Sequence, residues 1–307
     1  MLRLIEVVLP KEGVYKNACV FCGLIIENQQ VEGLQIVKSV NPPHLLMKST
    51  KTNDYPPLND TFAARMNAPT YTLTPVKETD FLKGGVLLID KPLNWTSFDV
   101  VNKVRRLLLK KYDKRLKVGH AGTLDPLATG LLVICTGAFT KRINEFQDGE
   151  KEYEGTFVIG ATRPSYDKET EINETFPVDH ITDEMIQEAK KKFIGEIEQI
   201  PPSYSAIKMG GKRAYESAHK GIEVKMSPRI VYIREMEVKR LDSTHIWFRV
   251  VCGKGTYIRS LARDFGIALQ SGAYLDSLCR TRIGEFRLSQ AISMDEAFDL
   301  FAVEAGM

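Results

Sequence analysis

The chain has 307 residues, 43% hydrophobic and 26% charged, enough apolar material for one large domain or two ordinary ones and too much for global disorder. The formal net charge of +3 is too mild to imply a nucleic-acid partner by itself. No apolar run reaches the roughly 20 residues of a membrane span. Glu6 and Pro10 break the segment where a signal peptide is apolar, so a cytoplasmic protein without membrane contact is expected.

Residues 1–76 carry Pro42-Pro43, Pro56-Pro57 and polar stretches without a sustained period. "ACVFCGLII" reads as one strand and "LQIVKSV" as another, and a disordered leader is an equal alternative. Cys19-x-x-Cys22 has no second ligand pair, so no metal site is expected; the other three of the five cysteines are scattered, as suits a reducing compartment. "GVLLIDKP" then reads as a buried strand. Thr96 and Asp99 have capping-box spacing before a helix with Val100, Val104, Leu107 and Leu108 on one face. Lys103, Arg106 and Lys110 lie off that face. Residues 103–117 hold eight Lys or Arg against one acid, Asp113, which is either a phosphate-tracking stripe or a solvated helix face.

The loop "VGHAGTLDPLATG" follows, ahead of the buried strand "LLVIC". Its Asp125 is either a site carboxylate on a rigid loop or an Asx-turn residue holding that loop together. His120 is either a site group or a satisfied structural histidine. "YEGTFVIG" and His245–Cys252 read as strands, and "ITDEMIQEAKKKFIG" and "GTYIRSLARDFGIAL" as helices, the second capped by Thr256. Arg259, in the first turn of that helix, is a phosphate ligand, a carboxylate partner or plain surface charge. Residues 204–226 interleave Lys208, Lys212, Arg213, Lys220 and Lys225 with Tyr204, Tyr215 and Gly210-Gly211, as in a mobile flap over RNA or an ordinary helix-turn-helix surface. Strands and helices mix without a βαβ rhythm. The expected class is α+β, with a mixed, mostly antiparallel sheet flanked by helices.

"GVLLIDKPLNWTS", "KVGHAGTLDPLATGLLVICTGAFTKR", "KEYEGTFVIG", "IPPSYSAIKMGGKRAYE", "CGKGTYIRSLARDFG" and "LCRTRIGEF", in this order, resemble the TruB family of pseudouridine synthases over about two thirds of the chain, from Gly84 to Phe286. The resemblance implies the pseudouridine synthase fold over residues 77–307, with residues 1–76 an N-terminal extension and residues 204–226 a thumb that clasps RNA. It implies isomerisation of uridine to pseudouridine, typically uridine 55 in the T loop of tRNA, without a cofactor. Asp125 then becomes the catalytic aspartate. Tyr153 matches the tyrosine that stacks on the flipped uracil, and Arg259 the arginine paired with the aspartate. Tyr257 lies in the pocket, and Leu278 is an apolar pocket residue. His120 matches a histidine that wedges into the RNA, and Lys91 a residue beside the active-site strand.

The departures are Asn94, where the family has glycine, and Pro164 in "ATRPSYD", whose Asp167 receives no role. A form lacking a C-terminal PUA-type domain after "MDEAFDLF" is expected, and Met66 is a candidate start. The expected partner is the T arm of tRNA, engaged by a monomer with no obligatory protein partner. A non-catalytic RNA-binding protein on the same scaffold and a guide-RNA-dependent synthase are the competing readings. Intact Asp125, Tyr153 and Arg259 speak against the first, and the "DPLATG" wording against the second.

Overall fold

The computed structural model describes residues 79–205 and 226–302, together with the backbone of four short strands at 16–18, 25–27, 208–209 and 212–213. The chain divides into two units, Met1–Pro56 and Pro57–Met307. In the first, β1 (Lys16–Ala18) pairs antiparallel with β2 (Ile25–Glu27). The expectation of one strand across "ACVFCGLII" is therefore corrected to two strand ends. Cys19, Cys22 and "LQIVKSV" lie outside the described residues.

The second unit opens with β3 (Val86–Lys91) and α1 (Ser97–Tyr112). The expected capping box is present: Asp99 N donates to Thr96 Oγ1 at 3.0 Å and Thr96 N to Asp99 Oδ2 at 2.9 Å. Next come β4 (Val118–Ala121), β5 (Ala128–Thr136), α2 (Ile143–Asp148) and β6 (Lys151–Ile159). The loop read from the sequence thus begins as a strand, and only residues 122–127 connect β4 to β5. The short β7 (Ala161–Thr162) and β8 (Glu174–Thr175) lead to α3 (Asp183–Lys191) and β9 (Gly195–Gln199). A two-residue pairing, β10 (Lys208–Met209) with β11 (Lys212–Arg213), falls in the expected thumb, most of which lies outside the described residues. The chain then runs through β12 (Arg229–Arg240), β13 (His245–Cys252), α4 (Ile258–Ala268), β14 (Ala273–Ile283), β15 (Phe286–Arg287) and α5 (Met294–Leu300).

The sheet has nine strands in the order β3-β5-β14-β6-β13-β12-β9, with β4 on β5 and β15 on β14. Only β5 and β14 run parallel; every other pairing is antiparallel. This is the α+β class expected. The run "LLVIC" is continuous because β5 is covered on both faces. Leu132 and Ile134 pack with Val100, Val104 and Leu108 of α1, while Leu131, Val133 and Cys135 face Phe146 and Phe286. Farther along, Phe157 of β6 stacks on Phe248 of β13 at 4.1 Å and meets Phe265 of α4 at 5.6 Å. Each such buried ring contributes about 1.5–3 kcal/mol through lost water contact. These clusters hold the centre of the sheet rigid, and the site is built along that centre.

Candidate active site

The 122–127 connection is tied down on both sides. Ser97, the first residue of α1, donates its hydroxyl to Leu124 O at 2.9 Å and accepts from Leu124 N at 2.8 Å. Asn94 has φ 66°, the left-handed conformation its family counterpart glycine adopts freely, and its N–H reaches Pro126 O at 2.9 Å. Fully buried Lys91 donates to Pro92 O, Trp95 O and Pro126 O at 2.9, 2.5 and 3.4 Å. Ala128 N closes the turn on Asp125 O at 3.1 Å. The glycines answer a steric need. At Gly130, φ is +99° and a Cβ would stand 2.5 Å from the carbonyl oxygen of residue 280 on β14.

Asp125 is held between β4 and β5 with its side chain 42% exposed. Its Oδ2 meets Arg259 Nε at 2.9 Å, and the same Nε lies 3.6 Å from Asp167 Oδ2. Arg259 is 5% exposed and the Asp167 side chain 7%. One buried guanidinium therefore lies between a shielded carboxylate and an open one. Asp167 is fixed in turn: its Oδ1 accepts from Glu169 N at 3.0 Å, and Leu275 N donates to Tyr166 O at 2.8 Å. Of the readings open for Arg259, the structure selects the carboxylate partner.

Tyr257 is set by Gln199, whose Oε1 accepts from Tyr257 N at 2.8 Å and whose Nε2 donates to Tyr257 O at 3.2 Å. Thr256 does not cap α4 as expected. Its hydroxyl turns back to Gly253 O at 3.0 Å, and Tyr257 takes the N-cap position without a side-chain bond.

A cleft of about 840 Å³ brings together five of the expected residues: Asp125, Tyr153, Tyr257, Arg259 and Leu278. Lys91 and His120 are not among its walls. Lys91 acts behind the loop. His120 sits on β4 opposite Ile134, half-buried, and its Nδ1 has no hydrogen-bond partner among the described residues. Burial, and then the charge of Arg280, holds its imidazole below the usual value. The cleft also holds Lys151, Arg229 and Arg280, none of which the sequence reading singled out. Arg280 had a signal: two residues beyond Leu278 on one strand, it shares that residue's face. Burial pushes the phenols of Tyr153 and Tyr257 up.

Burial also pulls the Lys91 ammonium down to about 8 from 10.5, against the opposing charge of Asp125. Between those two values the unfolded chain binds the proton that the folded protein has released, so Lys91 adds stability as pH rises through that window. Melting temperatures of the wild type and Lys91→Met at pH 7 and pH 10 measure this. The gap should move in favour of the wild type at the higher pH; a gap independent of pH would overturn the assignment.

Among the described residues no three His, Cys, Asp or Glu side chains are placed to hold a metal ion, and no helix is long and apolar enough to cross a membrane.

The architecture is shared with a Cbf5–Nop10–Gar1 complex, at TM-score 0.55 and 26% identity over 76% of this chain and 64% of that one. It is also shared with an H/ACA RNP bound to a substrate RNA containing 2′-deoxyuridine, at TM-score 0.53 and 26% identity over 74% and 55%. The chain thus spans less than two thirds of those solved chains. Residues 105–258 match the model of the TruB family pseudouridylate synthase N-terminal domain. The tRNA pseudouridine synthase B of Flavobacterium johnsoniae is 56% identical over 217 residues, 70% of this chain and 95% of that protein. That of Phocaeicola vulgatus is 55% identical over 217 residues, 70% and 92%. The chain belongs to the TruB family, enzymes that isomerise uridine in RNA to pseudouridine.

Proposed function

We propose that the cleft receives a uridine flipped out of the T loop of tRNA, uridine 55, and that Asp125 drives its isomerisation. The chain converts uridine to pseudouridine in tRNA, as the names of its relatives describe for them. The observation that carries the site is the shared guanidinium. Arg259 is neutralised from behind by buried Asp167 and aims the open Asp125 carboxylate into a cleft walled by tyrosines and cations.

In the reaction the C1′–N1 bond breaks, the uracil turns, C5 bonds to C1′, and the C5 proton leaves. Asp125 serves as nucleophile at C1′, as base at C2′, or as the counter-charge of the cationic sugar. Tyr153 and Leu278 hold the ring, and Tyr257 closes the pocket edge. His120 acts as a wedge in the RNA, and Lys91 keeps the Asp125 loop in place. Residues 77–307 form the catalytic domain, with residues 1–76 an extension. Residues 204–226 close over the T arm. The enzyme acts in the cytoplasm as a monomer, without a cofactor or an obligatory protein partner.

The test is purified protein with unmodified tRNA and no guide RNA. Pseudouridine at one T-loop position supports the proposal, and its absence favours a guide-dependent or non-catalytic role. Because the cleft offers RNA Arg229 and Lys254 as well as the basic face of α1, affinity should fall steeply with salt. An isolated T-arm hairpin should be modified nearly as well as whole tRNA in initial-rate assays. A strong requirement for the acceptor stem would contradict a site that reads the T arm alone.

A further inference from the structure

Arg280 is 1% exposed and stands in β14 between Gly130 of β5 and Tyr153 of β6, its cross-strand neighbours. Its guanidinium donates from Nε to Leu131 O at 2.8 Å, from one terminal nitrogen to Gly122 O at 3.0 Å, and from the other to Thr123 O at 3.4 Å. Two of these carbonyls open the connection that carries Asp125, and the third lies in β5, beyond its other end. Among the described residues no carboxylate lies within ion-pair distance of Arg280. Burying a cation against carbonyl dipoles and the Tyr153 phenol, with no carboxylate beside it, is an expensive way to fasten a loop. A planar fork with donors in fixed directions is nevertheless the one side chain that reaches both the loop and that strand at once. Gly122 fits this contact: at φ +93°, a Cβ there would stand 3.4 Å from the Arg280 terminal nitrogen. Three of the five guanidinium N–H groups are thereby used, and the side chain also lines the cleft beside Tyr153.

We infer that Arg280 is a positioning residue for the isomerisation: its guanidinium ties the start of the Asp125 loop to the strand that follows it and so fixes the aim of that carboxylate in the cleft that Tyr153 also lines. The inference rests on Asp125 being the reacting carboxylate. Without the clamp the loop keeps its ties at Leu124 and Pro126 but loses those at Gly122 and Thr123. Misplacement of the carboxylate by about 1 Å then costs on the order of 100-fold in rate. RNA affinity, set by phosphate contacts elsewhere in the cleft, is untouched.

The test uses the full chain carrying Arg280→Met or Arg280→Lys, with Asp125→Asn in parallel, on unmodified tRNA. Arg280→Met should bind tRNA within about threefold of wild type and lose on the order of 100-fold in single-turnover rate. Arg280→Lys restores the charge and one carbonyl contact without the fork, so its rate should recover only in part. A wild-type rate in Arg280→Met overturns the inference. So does a loss confined to affinity, or one that merely follows the folded fraction read by circular dichroism at the assay temperature. Should Arg280→Met fail to fold, Arg280→Lys decides: a loss of about tenfold or more in rate at wild-type affinity supports the clamp, and a wild-type rate removes it. An active Asp125→Asn defeats the reading of the site itself. An inactive Asp125→Asn beside a fully active Arg280→Met defeats only the clamp.

Discussion

Asp125→Asn should give a folded protein that binds tRNA with wild-type affinity and does not turn it over, with a rate loss of about 10⁴-fold or more. The amide keeps the size of the side chain and can still accept from Arg259 Nε, 2.9 Å away in the wild type. It loses the charge and basicity that attack at C1′, proton removal at C2′ and support of a cationic sugar all require. Single-turnover assays with saturating enzyme separate this from a binding defect. Activity within tenfold of wild type would remove Asp125 from the chemistry.

The second large effect is expected at Arg259. Arg259→Ala strands Asp167, 7% exposed, without its cation. Breaking such a buried pair from one side costs about 3–5 kcal/mol of stability. The same change frees Asp125 to swing, so the rate should fall by roughly 100-fold or more in the fraction that remains folded. Adding Asp167→Asn should restore much of the melting temperature by removing the stranded charge, while the rate stays low because Asp125 is still unaimed. Were Arg259 a phosphate ligand instead, the slope of log affinity against log salt would shrink by about 0.7–0.9 in the single variant. An unchanged slope with a collapsed rate is the expected result. A reduced slope with an intact rate would overturn the pairing.

The legible parts of this fold were those where a local pattern carries the whole signal. The capping box at Thr96 and Asp99, the doubly covered β5 and the alternation of β13 all announced themselves. β12 did not, because its buried positions change phase. Val231 and Ile233 point inward, then Met236 and Val238, with a register shift between residues 233 and 235. One extra residue there flips the inward set, and no period-two pattern survives it. β14 was hidden for another reason. It is central yet carries Asp276, Arg280 and Arg282, since its polar side chains serve the cleft and neighbouring ion pairs such as Arg282 with Glu150 at 2.5 Å. In the site, the family resemblance pointed to Asp125, Tyr153, Tyr257, Arg259 and Leu278, which line one cleft. Asp167 was visible but mute, because its partner approaches from another element and nothing local marks the pairing.

The strand order carries a consequence for how the enzyme comes into being. β5 and β6 are successive long strands in the chain, yet β14 lies between them, roughly 120 residues after β6 begins. During synthesis the growing polypeptide therefore holds an unfilled slot between two strand edges until β14 leaves the ribosome. Contacts closed so late are slow to form, and bare edges invite pairing with other chains. Asp125 and Tyr153 are made early, Arg259 late and Arg280 later still. The nascent chain thus passes most of its synthesis with no assembled catalytic centre, and a chain ending before Ala273 should be both inert and prone to aggregate.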